Sequence, residues 1–120
     1  MDLNHTIVPS TDKVASAIWL ANIMGLEYAG PMGPFCLLKI NEALTLDFDD
    51  RREIAHHHYA FQVSDPEFDA IFGRVKDAGI PYGSGPGPDK ADMHINERRG
   101  GRGLYFDELN GHSIELMTCA

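Results

Sequence analysis

The chain is poor in the residues that staple a fold, span a membrane or bind polyanions. Only two cysteines, Cys36 and Cys119, occur in 120 residues, and neither belongs to a Cys-x-x-Cys pair. That excludes a dense disulfide framework and fits a reducing cytoplasm. Bases are also scarce: ten Lys and Arg face eighteen Asp and Glu, for a formal net charge of −8. Nucleic acid and anionic membrane both attract a positive field, so neither is expected as a partner. No apolar run approaches a membrane span, and the first ten residues lack a basic stretch leading into an apolar one. The Gly- and Pro-rich tract 83–90 is followed by no phosphate-loop pattern. What remains is an acidic chain with 43% hydrophobic residues, enough for one domain with its own core.

Within that domain the sequence repeats itself. His5-Thr-Ile-Val-Pro-Ser-Thr-Asp12 aligns with His58-Tyr-Ala-Phe-Gln-Val-Ser-Asp65 at an offset of 53 residues. Ala17-Ile18-Trp19 falls on Ala70-Ile71-Phe72 at the same offset, and Gly25-Leu26-Glu27-Tyr28 meets Gly79-Ile80-Pro81-Tyr82 after one insertion. Residues 3–9 and 57–63 are short, apolar and β-prone, as strands are. Asp12 and Asp65 stand where a carboxylate caps a helix. Val14, Ala17, Ile18, Ala21 and Met24 in one copy, and Phe68, Ile71, Phe72, Val75 and Ala78 in the other, form apolar stripes at helical spacing. Trp19 and Phe72 are expected in the core, and Gly25 and Gly79 end the helices. Further strands are expected near 26–30, 34–40 and 43–49, then near 80–83, 92–96, 102–107 and 112–118. The fold class is therefore α+β, built from two βαβββ modules at about 1–52 and 56–120, with the acidic stretch 49–53 as their joint.

Position and parity separate the six histidines. His5 and His58 open equivalent strands. Side chains alternate along a strand, so Phe61 and Val63 facing a helix send His58 and Ala60 the other way. By the same parity Ile114 and Leu116 leave Glu115 on the face opposite the helix. Two imidazoles and a carboxylate form a facial set that leaves positions open on a metal; iron(II) suits it best, with manganese, nickel or zinc as alternatives. His56 and His57 are expected at an exposed strand start, His112 in a structural role beside a turn, and His94 in a loop. Arg98, Arg99 and Arg102 form a basic cluster in an acidic chain, either solvated or reading an anionic group on a substrate. The 83–90 tract is a flexible connection or a lid.

The elements His58-Tyr-Ala-Phe-Gln-Val-Ser-Asp65, Gly101-Arg-Gly-Leu-Tyr-Phe106 and Asn110-Gly-His-Ser-Ile-Glu-Leu116 resemble the vicinal oxygen chelate superfamily. That superfamily includes glyoxalase I, bleomycin-resistance proteins, fosfomycin-resistance thiol transferases and extradiol dioxygenases. The resemblance spans essentially the whole chain. It implies two modules forming a cup around one divalent metal held by His5, His58 and Glu115. It also implies a catalytic Tyr105 pointing into the cup, a homodimer, and a small-molecule substrate. Members usually read Asp-Pro-Asp-Gly before the last strand, where this chain has Glu108-Leu-Asn-Gly111. A fourth, acidic ligand of the glyoxalase kind would come from the strand near 43–49, where Thr45 and Asp47 compete for the place. Asp47, Arg98 and Arg102 are candidate substrate contacts. The activity expected from the resemblance is that of a metal-dependent enzyme, dioxygenase-like. The alternatives are a protein that only sequesters a small molecule such as an antibiotic, and a glyoxalase-type lyase or thiol transferase.

Overall fold

The β-prone run Thr6-Ile-Val8 and helical spacing after Asp12 give the opening strand and helix of the computed structural model, which describes residues 1–120. It divides into two units, Met1–Ala55 and His56–Ala120. The first runs β1 (His5–Pro9), α1 (Lys13–Met24), β2 (Glu27–Met32), β3 (Phe35–Lys39) and β4 (Thr45–Asp49). The second repeats it as β5 (His58–Gln62), α2 (Asp65–Asp77), β6 (Tyr82–Gly83), β7 (Gly103–Asp107) and β8 (Ser113–Met117). The sheet orders correspond, β1-β4-β3-β2 and β5-β8-β7-β6. In each, the first strand runs parallel to the last and the other pairs are antiparallel. This is the α+β fold of paired βαβββ modules, and no helix is long and apolar enough to cross a membrane.

In the first unit α1 lies against β2, β3 and β4. Asp12 caps it, its Oδ1 accepting the Ala15 N–H at 3.1 Å, and Gly25 closes it at φ 68°. Ala17, Leu20, Ala21, Ile23 and Met24 are buried, as are Val8, Cys36, Leu38, Leu46 and Phe48 of the sheet. Each such Leu or Phe contributes about 1.5–3 kcal/mol. The stripe expected for α1 is rotated: Val14 and Ile18 remain 45% and 38% exposed, and Trp19 is only half-buried. Nine of the twelve residues of α1 are apolar, so composition alone does not choose the buried side.

In the second unit Phe68, Ile71 and Val75 of α2 are buried, as are Leu104, Phe106, Ile114 and Leu116. Phe72 is half-buried rather than core and meets Tyr82 edge to face at 5.0 Å. The cap of α2 is Ser64, not Asp65. Ser64 Oγ accepts from the Glu67 N–H at 3.2 Å, while the Glu67 carboxylate accepts from the Ser64 N–H at 2.9 Å. Asp65 becomes the first helical residue, followed by Pro66, which needs no N–H there. The expected strand at 92–96 is absent; only Asn96 bridges to Gly103. Asp92 instead accepts from the Ser84 and His94 N–H groups and Met93 takes φ 61°, a turn rather than an extended run.

Candidate functional site

The register of each sheet decides which side chains share a face. In the second unit Glu115 pairs across to Ala60 on one side and to Tyr105 on the other. Paired residues point the same way, so Glu115 and Tyr105 share a face with His58, two residues before Ala60. Ile114, Leu116, Leu104 and Phe106 take the opposite, buried face. The parity read from the sequence therefore holds in this sheet. His58 Nε2 comes within 3.0 Å of Glu115 Oε1, and the His58 and Tyr105 rings lie 5.8 Å apart.

Glu115 is 6% exposed, and its charge is met by an imidazole and a phenol rather than by Lys or Arg. Burial pushes the Tyr105 phenol above its ordinary value. The hydrogen bond it donates to Glu115 adds to that shift, while Arg98 opposes it. The phenol thus keeps its proton near neutral pH and is held as a donor. Arg98 Nη1 donates to Tyr105 Oη at 2.9 Å, completing a row from Arg98 through Tyr105 and Glu115 to His58.

The first unit carries the counterparts. His5 pairs with Thr45 as His58 pairs with Ser113, which makes Asp47 the equivalent of Glu115 and Leu37 the equivalent of Tyr105. Asp47 is buried but is not joined to His5; its Oδ1 accepts from Thr45 Oγ1 at 2.7 Å. His5 is exposed, with Nδ1 2.8 Å from Asn4 Oδ1. A ring that donates from Nδ1 keeps a lone pair on Nε2, the state a metal requires. The structure gathers no cluster of three or more His, Cys, Asp or Glu side chains around one point. Of the expected ligands it joins His58 to Glu115 within the second unit, and His5 stands in the first.

The two candidate arginines part company. Arg102 lies on the α2 side, its guanidinium 4.5 Å over the Phe68 ring and paired to Asp65 and Asp69 at 2.9 and 2.7 Å. Those contacts give it a structural task, away from the Tyr105 face. Arg98 is on the Tyr105 side, and the loop that carries it is built rather than slack. Asp92 accepts from Ser84 N–H, Ser84 Oγ and His94 N–H at 3.0, 2.5 and 2.9 Å. Asn96 donates to Ser84 C=O at 2.9 Å and accepts from Arg98 N–H at 3.1 Å. Sequence reasoning passed over Ser84, Asp92 and Asn96, although short polar side chains among Gly and Pro are a signal for such turns.

No protein-family model matches the chain. Solved structures do. An oxidase named ChaP-H2 is 45% identical at a TM-score of 0.94, with 100% of this chain and 94% of that one covered. An oxidase named ChaP-H1 is 42% identical at a TM-score of 0.94, with coverages of 100% and 97%. Lactoylglutathione lyase from Agrobacterium tumefaciens shares the fold alone, at 18% identity, a TM-score of 0.72 and coverages of 96% and 91%. With its doubled βαβββ modules and these matches, the chain belongs to the vicinal oxygen chelate superfamily.

Proposed function

We propose that this protein is a metal-dependent oxidase of the dioxygenase type, acting on a small substrate that chelates the metal through neighbouring oxygens. The pairing of His58 with the buried Glu115 at 3.0 Å carries the reading. The similarity to two proteins named as oxidases supports oxidation over a lyase or transferase reaction. The donor set fits a divalent ion, since Glu115 has no Lys or Arg to neutralise it and His58 presents Nε2 toward it. His5 is the third donor that the resemblance implies, oriented by Asn4. A bound iron(II), or manganese, nickel or zinc in its place, would supply a Lewis acid for the substrate's oxygens.

The chain's own groups then have separate tasks. Glu115 and His58 would hold such an ion from adjacent parallel strands, which is a rigid mounting. Tyr105 offers an O–H beside that carboxylate, placed to bond a substrate oxygen or to pass it a proton. Leu37, at the equivalent position of the first unit, offers neither, so the acid–base work rests with the second module.

Metal analysis and turnover of catechol by iron-loaded protein test the reading. Glu115→Ala should keep the wild-type circular dichroism, lose bound metal and lose turnover. His58→Ala should lose the metal likewise. Should His58→Ala retain wild-type metal content, the site is wrong. If Glu115→Ala keeps full affinity for a co-purifying ligand, and wild type oxidises nothing in a broad anaerobic-to-aerobic screen, the protein only sequesters its ligand.

A further inference from the structure

Nearly every cation of this acidic chain is spoken for. Lys13, Lys39, Arg51, Arg52, Lys90 and Arg102 each lie within 4.0 Å of a carboxylate, and Lys76 sits 4.2 Å over the Phe72 ring. Arg98 is an exception. Its two side-chain partners are neutral oxygens, Tyr105 Oη at 2.9 Å and Ser84 C=O at 3.2 Å. A guanidinium has five N–H donors, so three remain unused; its charge meets the Tyr105 ring, 5.6 Å from Cζ, but no carboxylate within 4.0 Å. Arg99, also without a carboxylate, lacks any such anchoring, which separates a placed cation from a solvated one.

The placement is costly in local structure, and that cost has a pattern. Arg98 is fixed from three directions: its own N–H by Asn96, its Nη2 by the Ser84 carbonyl, its Nη1 by Tyr105. Asn96 is in turn wedged against Gly103, where a Cβ would come within 2.7 Å of its Oδ1. Ser84 is clamped by Asp92. Each of these residues orients the next, and the last member of the series is a positive charge with no carboxylate partner, held beside Tyr105.

We propose that Arg98 is an anion-reading residue, and that the substrate carries a carboxylate which this guanidinium binds beside the Tyr105 hydroxyl. The proposal rests on the reading of the His58–Glu115–Tyr105 face as the substrate site. A planar fork with free N–H donors matches a carboxylate in two-point geometry, and such charge-assisted bonds are about twice as strong as neutral ones. Asn96, Ser84 and Asp92 are positioning residues for it.

Binding of 2-naphthoate and 2-naphthol to metal-free protein, followed by NMR titration, separates this from the metal reading, because neither probe chelates. Wild type should bind the carboxylate at least about tenfold more tightly than the neutral probe. Arg98→Gln should erase that preference while binding 2-naphthol as wild type does, and Arg98→Lys should retain part of it. Arg98 is exposed, so both variants should keep the wild-type thermal midpoint. The proposal is overturned if wild type shows no preference, or if Arg98→Gln binds 2-naphthoate as tightly as wild type. Failure of iron-loaded protein to oxidise any substrate, with the naphthoate preference intact, would remove the oxidase reading and leave the anion site standing.

Discussion

His112 shows how little a histidine's presence says until its surroundings are known. It is 0% exposed, and its Nδ1 accepts the His57 backbone N–H at 3.0 Å. Its ring meets Tyr59 edge-on at 5.8 Å and lies 5.6 Å from the His57 ring. The same parity that put His112 with Ile114 keeps it out of the site. His112→Ala removes a buried ring and orphans an amide, so unfolding in urea should show a loss of about 2–4 kcal/mol. His57→Ala, at an exposed side chain, should stay within about 0.5 kcal/mol. Asn4 belongs to the same scale: if it orients His5 for a metal, Asn4→Ala should weaken metal affinity by about 10–100-fold without unfolding the chain.

Asp49 gives the residue scale its pH dependence. Its carboxylate accepts from Arg51 Nε and Arg52 Nε, each at 2.9 Å, and from the Arg51 N–H at 3.1 Å. These bonds, Arg51's side chain first, hold it well below the usual carboxylate range, against the opposing effect of burial. A carboxylate depressed in the folded state stabilises above its unfolded value of about 4, and that contribution is lost as pH falls further. Asp49→Asn should therefore lower the thermal midpoint at pH 7 and flatten its decline in acid. An unchanged acid limb would show that other carboxylates govern it.

At the scale of elements, strands with one buried face were the most legible. His58-Tyr-Ala-Phe-Gln62 alternates, and its parity survives into the structure because Tyr59 and Phe61 are half-buried while His58, Ala60 and Gln62 are exposed on the face of the candidate site. The cap of α2 is ambiguous by one residue in the sequence because Ser64 and Asp65 are both good caps. The Ser64–Glu67 spacing is what distinguishes them. The buried face of α1 is not legible for a different reason, since an almost wholly apolar helix is oriented by its sheet rather than by its own periodicity. The 83–90 tract, a connection or a lid by its sequence, is held at Ser84 by Asp92 and Asn96. Edge strand β6 is short because the backbone of 89–91 lies directly against Gly83, where any Cβ would collide with the Asp89 carbonyl. Gly83→Ala should push that segment outward, and amide exchange at Ser84 and His94 should accelerate at least tenfold if their bonds to Asp92 are lost.

At the scale of the whole molecule, two copies of one topology carry different side chains at equivalent places. His5 and His58 occupy equivalent places, as do Asp47 and Glu115, and Leu37 and Tyr105. The repeat made the first correspondence readable from sequence. The other two needed strand register, because the insertion between α2 and β7 destroys the constant offset. Asp47→Ala and Glu115→Ala thus test the asymmetry directly. Loss of Glu115 should abolish metal binding, whereas Asp47→Ala removes a side chain bonded to Thr45 and should leave most of the metal bound.

The parallel pairing of the first strand with the last in each module has a kinetic consequence. β5 finds its neighbour only after α2, β6 and β7 have been made, because His58 pairs with Ser113. Such long-range closure raises contact order, which slows folding relative to a helical domain of the same length. His58 and Glu115 meet through that same closure, so neither a nascent chain nor a partly opened one holds the pair. Metal capture should therefore follow the slowest refolding phase in stopped-flow experiments, and added metal should retard unfolding without hastening the return.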